Sequence, residues 1–115
     1  MEISRTEEKG IVVVAIKGRL DAESTPEAEK FIMDILAADQ SRLIFDLSDL
    51  EYLSSGGLRI VLAASKDTRQ KGGQLVLCCL NEYVKEIFEV SGFHSIIPIV
   101  DSVKSGIQAL SSALC

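Results

Sequence analysis

The sequence predicts an α/β fold, with a mixed, mostly parallel central sheet of about five strands covered by about four helices. Apolar β-branched runs alternate along the chain with segments whose apolar residues recur at helical spacing. Strands separated by helices require crossover connections, which make neighbouring strands parallel. Tryptophan is absent and aromatics are only 5% of the 115 residues, so aliphatic side chains must build the core. No repeat, low-complexity stretch or composition shift divides the chain, and residues 1–115 read as a single domain.

The elements follow in order. Met1 to Glu7 alternates weakly, and Lys9-Gly10 forms a plausible hairpin turn into Ile11-Val12-Val13-Val14-Ala15-Ile16, a central strand that stops at Lys17-Gly18. Thr25 as N-cap, Pro26 at the first helical position and acids in the first turn open a helix. Its buried face is Ala28, Phe31, Ile32, Ile35 and Leu36. Leu43-Ile44-Phe45 is a second strand, ending at Asp46-Leu47-Ser48-Asp49. After a serine–glycine segment, Leu58, Val61, Leu62 and Ser65 share one helical stripe, and Lys71-Gly72-Gly73 ends that helix. Gln74 to Cys79 reads as the third strong strand. Asn81 caps a short helix through Val84, Ile87 and Phe88, with Gly92 as its stop. Ile96 to Val100 reads as an edge strand, because Pro98 has no N–H for a ladder. Ser102 then caps a helix carrying Val103, Ile107, Leu110 and Leu114.

Composition excludes several function classes. Apolar residues at 47% and charged residues at 25% describe a globular chain, not a disordered one. A net charge of −5 argues against nucleic acid and against an anionic membrane surface, both of which reward clustered Lys and Arg. No apolar run follows a basic start and none approaches the ~20 residues of a membrane span, so neither a signal peptide nor direct membrane insertion is expected. Three cysteines are an odd number, and Cys78 and Cys79 are neighbours. On a strand their side chains diverge to opposite faces, poorly placed to bridge or to chelate one ion. Reduced thiols in the cytoplasm, with no metal, are the expectation.

The segment Leu53-Ser54-Ser55-Gly56-Gly57-Leu58 is the most informative place, because it joins a strand to a helix. On spacing alone, one serine caps the helix and the glycines make the turn. The same geometry also suits a phosphoacceptor, since a phosphate at a helix N-terminus gains from the free N–H groups there. It would add about −1.5 to −2 charges to a surface expected to carry Asp46, Asp49 and Glu51. Competing chemistries lack their parts. A serine hydrolase wants Gly two residues before the nucleophile and a general base, but Leu53 stands there and His94, read as a surface or turn residue, is the only histidine. No lysine follows Gly57 as a phosphate loop requires. Asp46 and Asp49 read as turn residues, not metal ligands, and Asp21 by default as another turn residue.

Several stretches together resemble the STAS domain of anti-sigma factor antagonists. They are Lys17-Gly18-Arg19-Leu20-Asp21, Phe45-Asp46-Leu47-Ser48, Tyr52-Leu53-Ser54-Ser55-Gly56-Gly57-Leu58-Arg59, Lys71-Gly72-Gly73 and Phe88-Glu89-Val90-Ser91-Gly92-Phe93. They occur in order along essentially the whole chain. The resemblance implies a single STAS-like domain that works by partner switching and is not an enzyme. In such proteins the unphosphorylated form binds an anti-sigma factor, itself a serine kinase with a GHKL-type ATP site, and frees a sigma factor. The kinase phosphorylates and releases the antagonist, and a PP2C-type phosphatase restores it. The resemblance maps the phosphoacceptor to Ser55, with Ser54 as the alternative. It maps Asp21, Ser54, Ser55, Gly56, Gly57, Leu58 and Arg59 to the surface that meets the kinase, and implies no cofactor. A second role that the resemblance allows is a non-switching scaffold in a sensory complex, or a cytoplasmic accessory subunit of a lipid or anion transporter.

Overall fold

A computed structural model describes residues 1–112. The elements are β1 (Glu2–Glu8), β2 (Ile11–Leu20), α1 (Thr25–Ala37), β3 (Arg42–Asp46), β4 (Leu50–Leu53), α2 (Ser55–Gln70), β5 (Gln74–Cys78), α3 (Glu82–Ser91), a 3-10 turn (Phe93–Ser95), β6 (Ile99–Val100) and α4 (Val103–Ser112). Among the described residues, the mixed α/β fold with four α-helices agrees with the expectation, and the sheet has six strands where about five were expected. β1 runs antiparallel to β2, and every other pair is parallel, in the order β1-β2-β3-β5-β6 with β4 also on β2.

Lys9 and Gly10 both adopt positive φ, 54° and 76°, the two-residue turn that matches the twist of the flanking strands. Ile11 to Val14 are buried on both faces of the sheet, which is why that stretch reads as an unbroken apolar run. Val12, Val14, Leu43, Phe45, Leu75 and Leu77 face one side and pack under α1, α2 and α3. The alternate residues Ile11, Val13, Ile44, Val76 and Cys78 face the other side, where α4 supplies Ile107 and Leu110. Among the described residues, no helix is long and apolar enough to cross a membrane.

Four sequence readings need correction. The strand β4 escaped notice because Leu50-Glu51-Tyr52-Leu53 is short and carries an acid, and its strand state comes from pairing with β2. Thr25 is the first residue of α1 and not its cap: Ser24 is the N-cap, without a side-chain cap bond, and Asp21 closes the turn before it by accepting the N–H groups of Glu23 (3.1 Å) and Ser24 (3.3 Å). The last strand shrinks to Ile99–Val100, because Ile96 has helical dihedrals after the 3-10 turn. Cys79 falls outside β5 with φ of 67°. Leu114 lies outside the described residues.

Where β2 changes partner decides the position of the site. Val12 to Ala15 pair with β3; then the register shifts between Gly18 and Arg19, and Gly18 to Leu20 pair with β4. Gly18 has φ of +86°, a conformation that costs little only without a Cβ. Its N–H donates to the Asp49 carbonyl at 2.9 Å, anchoring the incoming β4. Gly18→Ala should therefore lower stability by about 1–2 kcal/mol, the cost of a left-handed non-glycine residue, read as a lower urea midpoint at unchanged slope.

Candidate functional site

Parallel β2 and β4 end side by side, with Leu20 paired to Leu53, and the Ser54 N–H donates to the Leu20 carbonyl at 2.9 Å. Each strand then feeds a helix. The first turns of α1 and α2 flank a cleft of about 230 Å³ lined by Thr25, Pro26, Glu29, Gly56, Arg59 and Ile60. Gly57 is fully buried beneath this junction: an added Cβ would stand 2.8 Å from Leu53 Cδ1 and 2.9 Å from Leu20 Cγ. Its lack of a side chain lets the start of α2 settle on the ends of both strands.

The two serines have different environments. Ser54 is half-buried in extended conformation, and its Oγ accepts the Gly57 N–H at 3.1 Å, which makes it the N-cap of α2. Its carbonyl takes the first intrahelical bond, from the Leu58 N–H at 2.9 Å. Ser55 is exposed as the first residue of the helix, and its hydroxyl has no hydrogen bond among the described residues. Gly56 and Leu58 are half-buried beside it and Arg59 is exposed one turn on.

Asp21 follows β2 in a tight turn, and its carbonyl and both carboxylate oxygens are engaged. Its carbonyl accepts from the Thr25 N–H at 2.9 Å, while Oδ1 accepts from the N–H groups of Glu23 and Ser24 and from the Ser24 hydroxyl at 3.3 Å. Desolvation pushes the carboxyl up, but those hydrogen bonds and the Arg19 charge outweigh it and hold Asp21 below its ordinary value. Arg19 Nε lies 3.7 Å from Asp21 Oδ2.

Two features here go beyond the sequence reading. Glu51, expected on the acidic surface, is joined by Glu23 and Glu27, and with Asp21 and Arg19 they line an acidic hollow next to the cleft. The Arg19 guanidinium lies 4.3 Å over the Tyr52 ring, and Tyr52 stacks on Tyr83 at 6.1 Å, so a cation and two aromatics form one column. Arg19 and Tyr52 are cross-strand partners of β2 and β4, a relation invisible until β4 is known. Asn81 ties Tyr83 into this column: its Oδ1 caps α3 at the Val84 N–H, 2.8 Å, and its Nδ2 donates to the Leu50 carbonyl at 2.9 Å.

Other candidates lie elsewhere. Asp49 is 4.0 Å from Lys17 Nζ. Asp46, expected on the acidic surface near the serines, instead approaches Cys78 and Cys79: one ligand atom from each of the three lies within 4.8 Å of the others. The expected divergence of the two thiols fails because the left-handed backbone at Cys79 swings its side chain out of strand alternation. Burial, reinforced by the neighbouring Cys79 thiol and Asp46, pushes the Cys78 thiol well up. His94 is exposed in the 3-10 turn, with Nδ1 3.2 Å from the Phe88 carbonyl.

Comparison with known proteins matches residues 2–106 to the family model of the STAS domain. A Bordetella bronchiseptica protein named as a candidate anti-sigma factor antagonist, BtrV, is 34% identical over 99% of this chain and 98% of its own. The anti-sigma F factor antagonist of Paenibacillus polymyxa is 28% identical, covering 96% of this chain and 95% of its own. Among solved structures, a Thermotoga maritima protein described as a candidate anti-sigma factor antagonist superposes with a TM-score of 0.91. It is 20% identical, over 95% of this chain and 94% of its own. The chain belongs to the STAS-domain family.

Two stability measurements separate the roles at this junction. Ser54→Ala should cost about 1 kcal/mol through the lost cap, while Ser55→Ala stays within roughly 0.5 kcal/mol; urea unfolding of both variants reads the difference. The depressed Asp21 carboxyl contributes stability that is complete above its unfolded value and is lost as pH falls through the folded one. Urea midpoints taken down an acid pH series should therefore fall more steeply for the parent than for Asp21→Asn.

Proposed function

We propose that this STAS-domain chain is a cytoplasmic anti-sigma factor antagonist governed by phosphorylation of Ser55. Its unphosphorylated form binds an anti-sigma factor, itself a GHKL-type serine kinase, and thereby releases a sigma factor. Phosphorylation ends the binding, and a PP2C-type phosphatase restores it. The names carried by the Bordetella and Paenibacillus relatives support the antagonist role.

The observation that carries the choice of residue is the contrast between the two hydroxyls. Ser54 already uses its Oγ to hold α2, whereas Ser55 is exposed and its hydroxyl has no hydrogen bond among the described residues. A kinase that takes Ser55 leaves the helix cap in place. A phosphate on Ser55 gains from the first-turn N–H groups and from Arg59 one turn away. It also adds about −1.5 to −2 charges to an end of the molecule whose acidic hollow already holds Asp21, Glu23, Glu27 and Glu51. A partner surface shaped for a neutral hydroxyl then meets negative charge that it cannot compensate, and the switch needs no change of fold. On this reading Asp21, Ser54, Gly56, Gly57, Leu58 and Arg59 form the ground on which the kinase lands, and no residue of the chain is catalytic.

Incubation with a cognate anti-sigma kinase and ATP, followed by phosphopeptide mapping, tests the reading. Label should appear on Ser55, vanish in Ser55→Ala and remain in Ser54→Ala. Ser55→Asp should weaken binding to the kinase by about tenfold or more, from like charge placed in the interface. Label that survives both alanine variants overturns the proposal. So does a pull-down that recovers membrane transporter subunits and no kinase.

A further inference from the structure

We propose that Asp46, Cys78 and Cys79 form a binding site for a single thiophilic divalent cation, zinc or cadmium. Asp46 ends β3 and Cys78 ends β5, and the two are paired in parallel register, so their side chains leave the same face of the sheet. Cys79 would point to the opposite face if the strand continued. Its φ of 67° turns it back, and one ligand atom from each residue then lies within 4.8 Å of the others. A left-handed conformation at a non-glycine residue costs roughly 1–2 kcal/mol, and here its geometric result is to bring a second thiol to the first.

The donor set specifies the class of ion. Two thiols and one carboxylate suit zinc or cadmium, and suit magnesium or calcium poorly, since those require oxygen donors. Zinc–sulfur bonds of about 2.3 Å and zinc–oxygen bonds of about 2.0–2.2 Å in a tetrahedron put donors well inside the 4.8 Å limit, so binding calls for a modest closing of the three side chains. Water fills the fourth position. Asp46 Oδ1 also accepts the Ser48 N–H at 3.1 Å, an outer contact that fixes the carboxylate. Asp46 has no ion-pair partner among the described residues, so no lysine or arginine competes for it. Cys78 is fully buried but Cys79 is half-exposed, giving the ion an entry on that side. On binding, each thiol gives its proton to solvent and its sulfur lone pair to the ion, so two protons leave per ion bound. The site lies apart from Ser55, and its test is independent of the proposed switch.

Cadmium titration of the full chain tests it, with Cys115→Ser introduced so that the remaining thiols are Cys78 and Cys79. Thiolate-to-cadmium charge-transfer absorption should saturate at one ion per chain, with both thiols protected from Ellman's reagent. Cys79→Ser should abolish the band. Asp46→Asn should weaken binding by at least the roughly 10–100-fold that loss of an outer partner costs. Absence of the band, saturation at one ion per two chains, or an affinity unchanged in Asp46→Asn overturns the proposal. The stoichiometry in the Cys115→Ser chain decides the matter even where a further variant folds poorly.

Discussion

The parallel pairing of Leu20 with Leu53 is the contact on which the candidate site depends. A parallel pair ends both strands at the same edge, and the chain has to leave both of them into crossover segments. Because both crossovers here begin with helices, two helix N-termini are brought together over one edge, with their free N–H groups and dipoles in common. Pairing with β3 ends at Ala15, and the bulge between Gly18 and Arg19, inside the pairing with β4, sets the register that brings Leu20 opposite Leu53. Gly57 then allows α2 to approach closely enough for Ser54 to reach back to Leu20. Each of these features is local, but none has a purpose without the others.

Energy is distributed unevenly around this edge. Leu20, Leu53, Ile60 and Val61 belong to the main apolar cluster, which is where burial contributes most to stability. The polar groups above them contribute less, and mostly by satisfying backbone N–H groups at the helix starts. Asp21 and Ser54 share that task, one for each helix, by different means: Asp21 closes a turn before α1, and Ser54 caps α2 directly. The acidic hollow is exposed, so its charges act on what approaches more than on how the chain folds.

Much of this was legible in the sequence, and the failures have definite physical causes. The long apolar runs of β2, β3 and β5, the periodic faces of α1 and α2 and the Asn81 and Gly92 ends of α3 all declare themselves locally. β4 does not, because four residues with an acid among them carry too little periodicity and owe their conformation to β2. The edge strand expected at Ile96–Val100 is present but shorter, for the opposite reason: its residues are apolar, but Ile97 is buried from a turn and only Ile99 and Val100 pair. Spacing placed Ser54 and Ser55 at a helix entry without separating them, since which hydroxyl turns inward depends on backbone dihedrals. The approach of Cys79 to Cys78 was hidden likewise, behind a single positive φ.

The contrast between Ser54 and Ser55 also bears on how such a protein can change over time. One hydroxyl supports architecture and its neighbour supports nothing in the fold, so substitutions at position 55 cost almost no folding energy. Those at position 54 draw on a stability margin that in most domains is only 5–15 kcal/mol. Drift at position 55 would therefore leave cellular abundance almost untouched, and drift at position 54 would lower it. Adjacent residues of identical chemistry thus differ in how freely the fold lets them change.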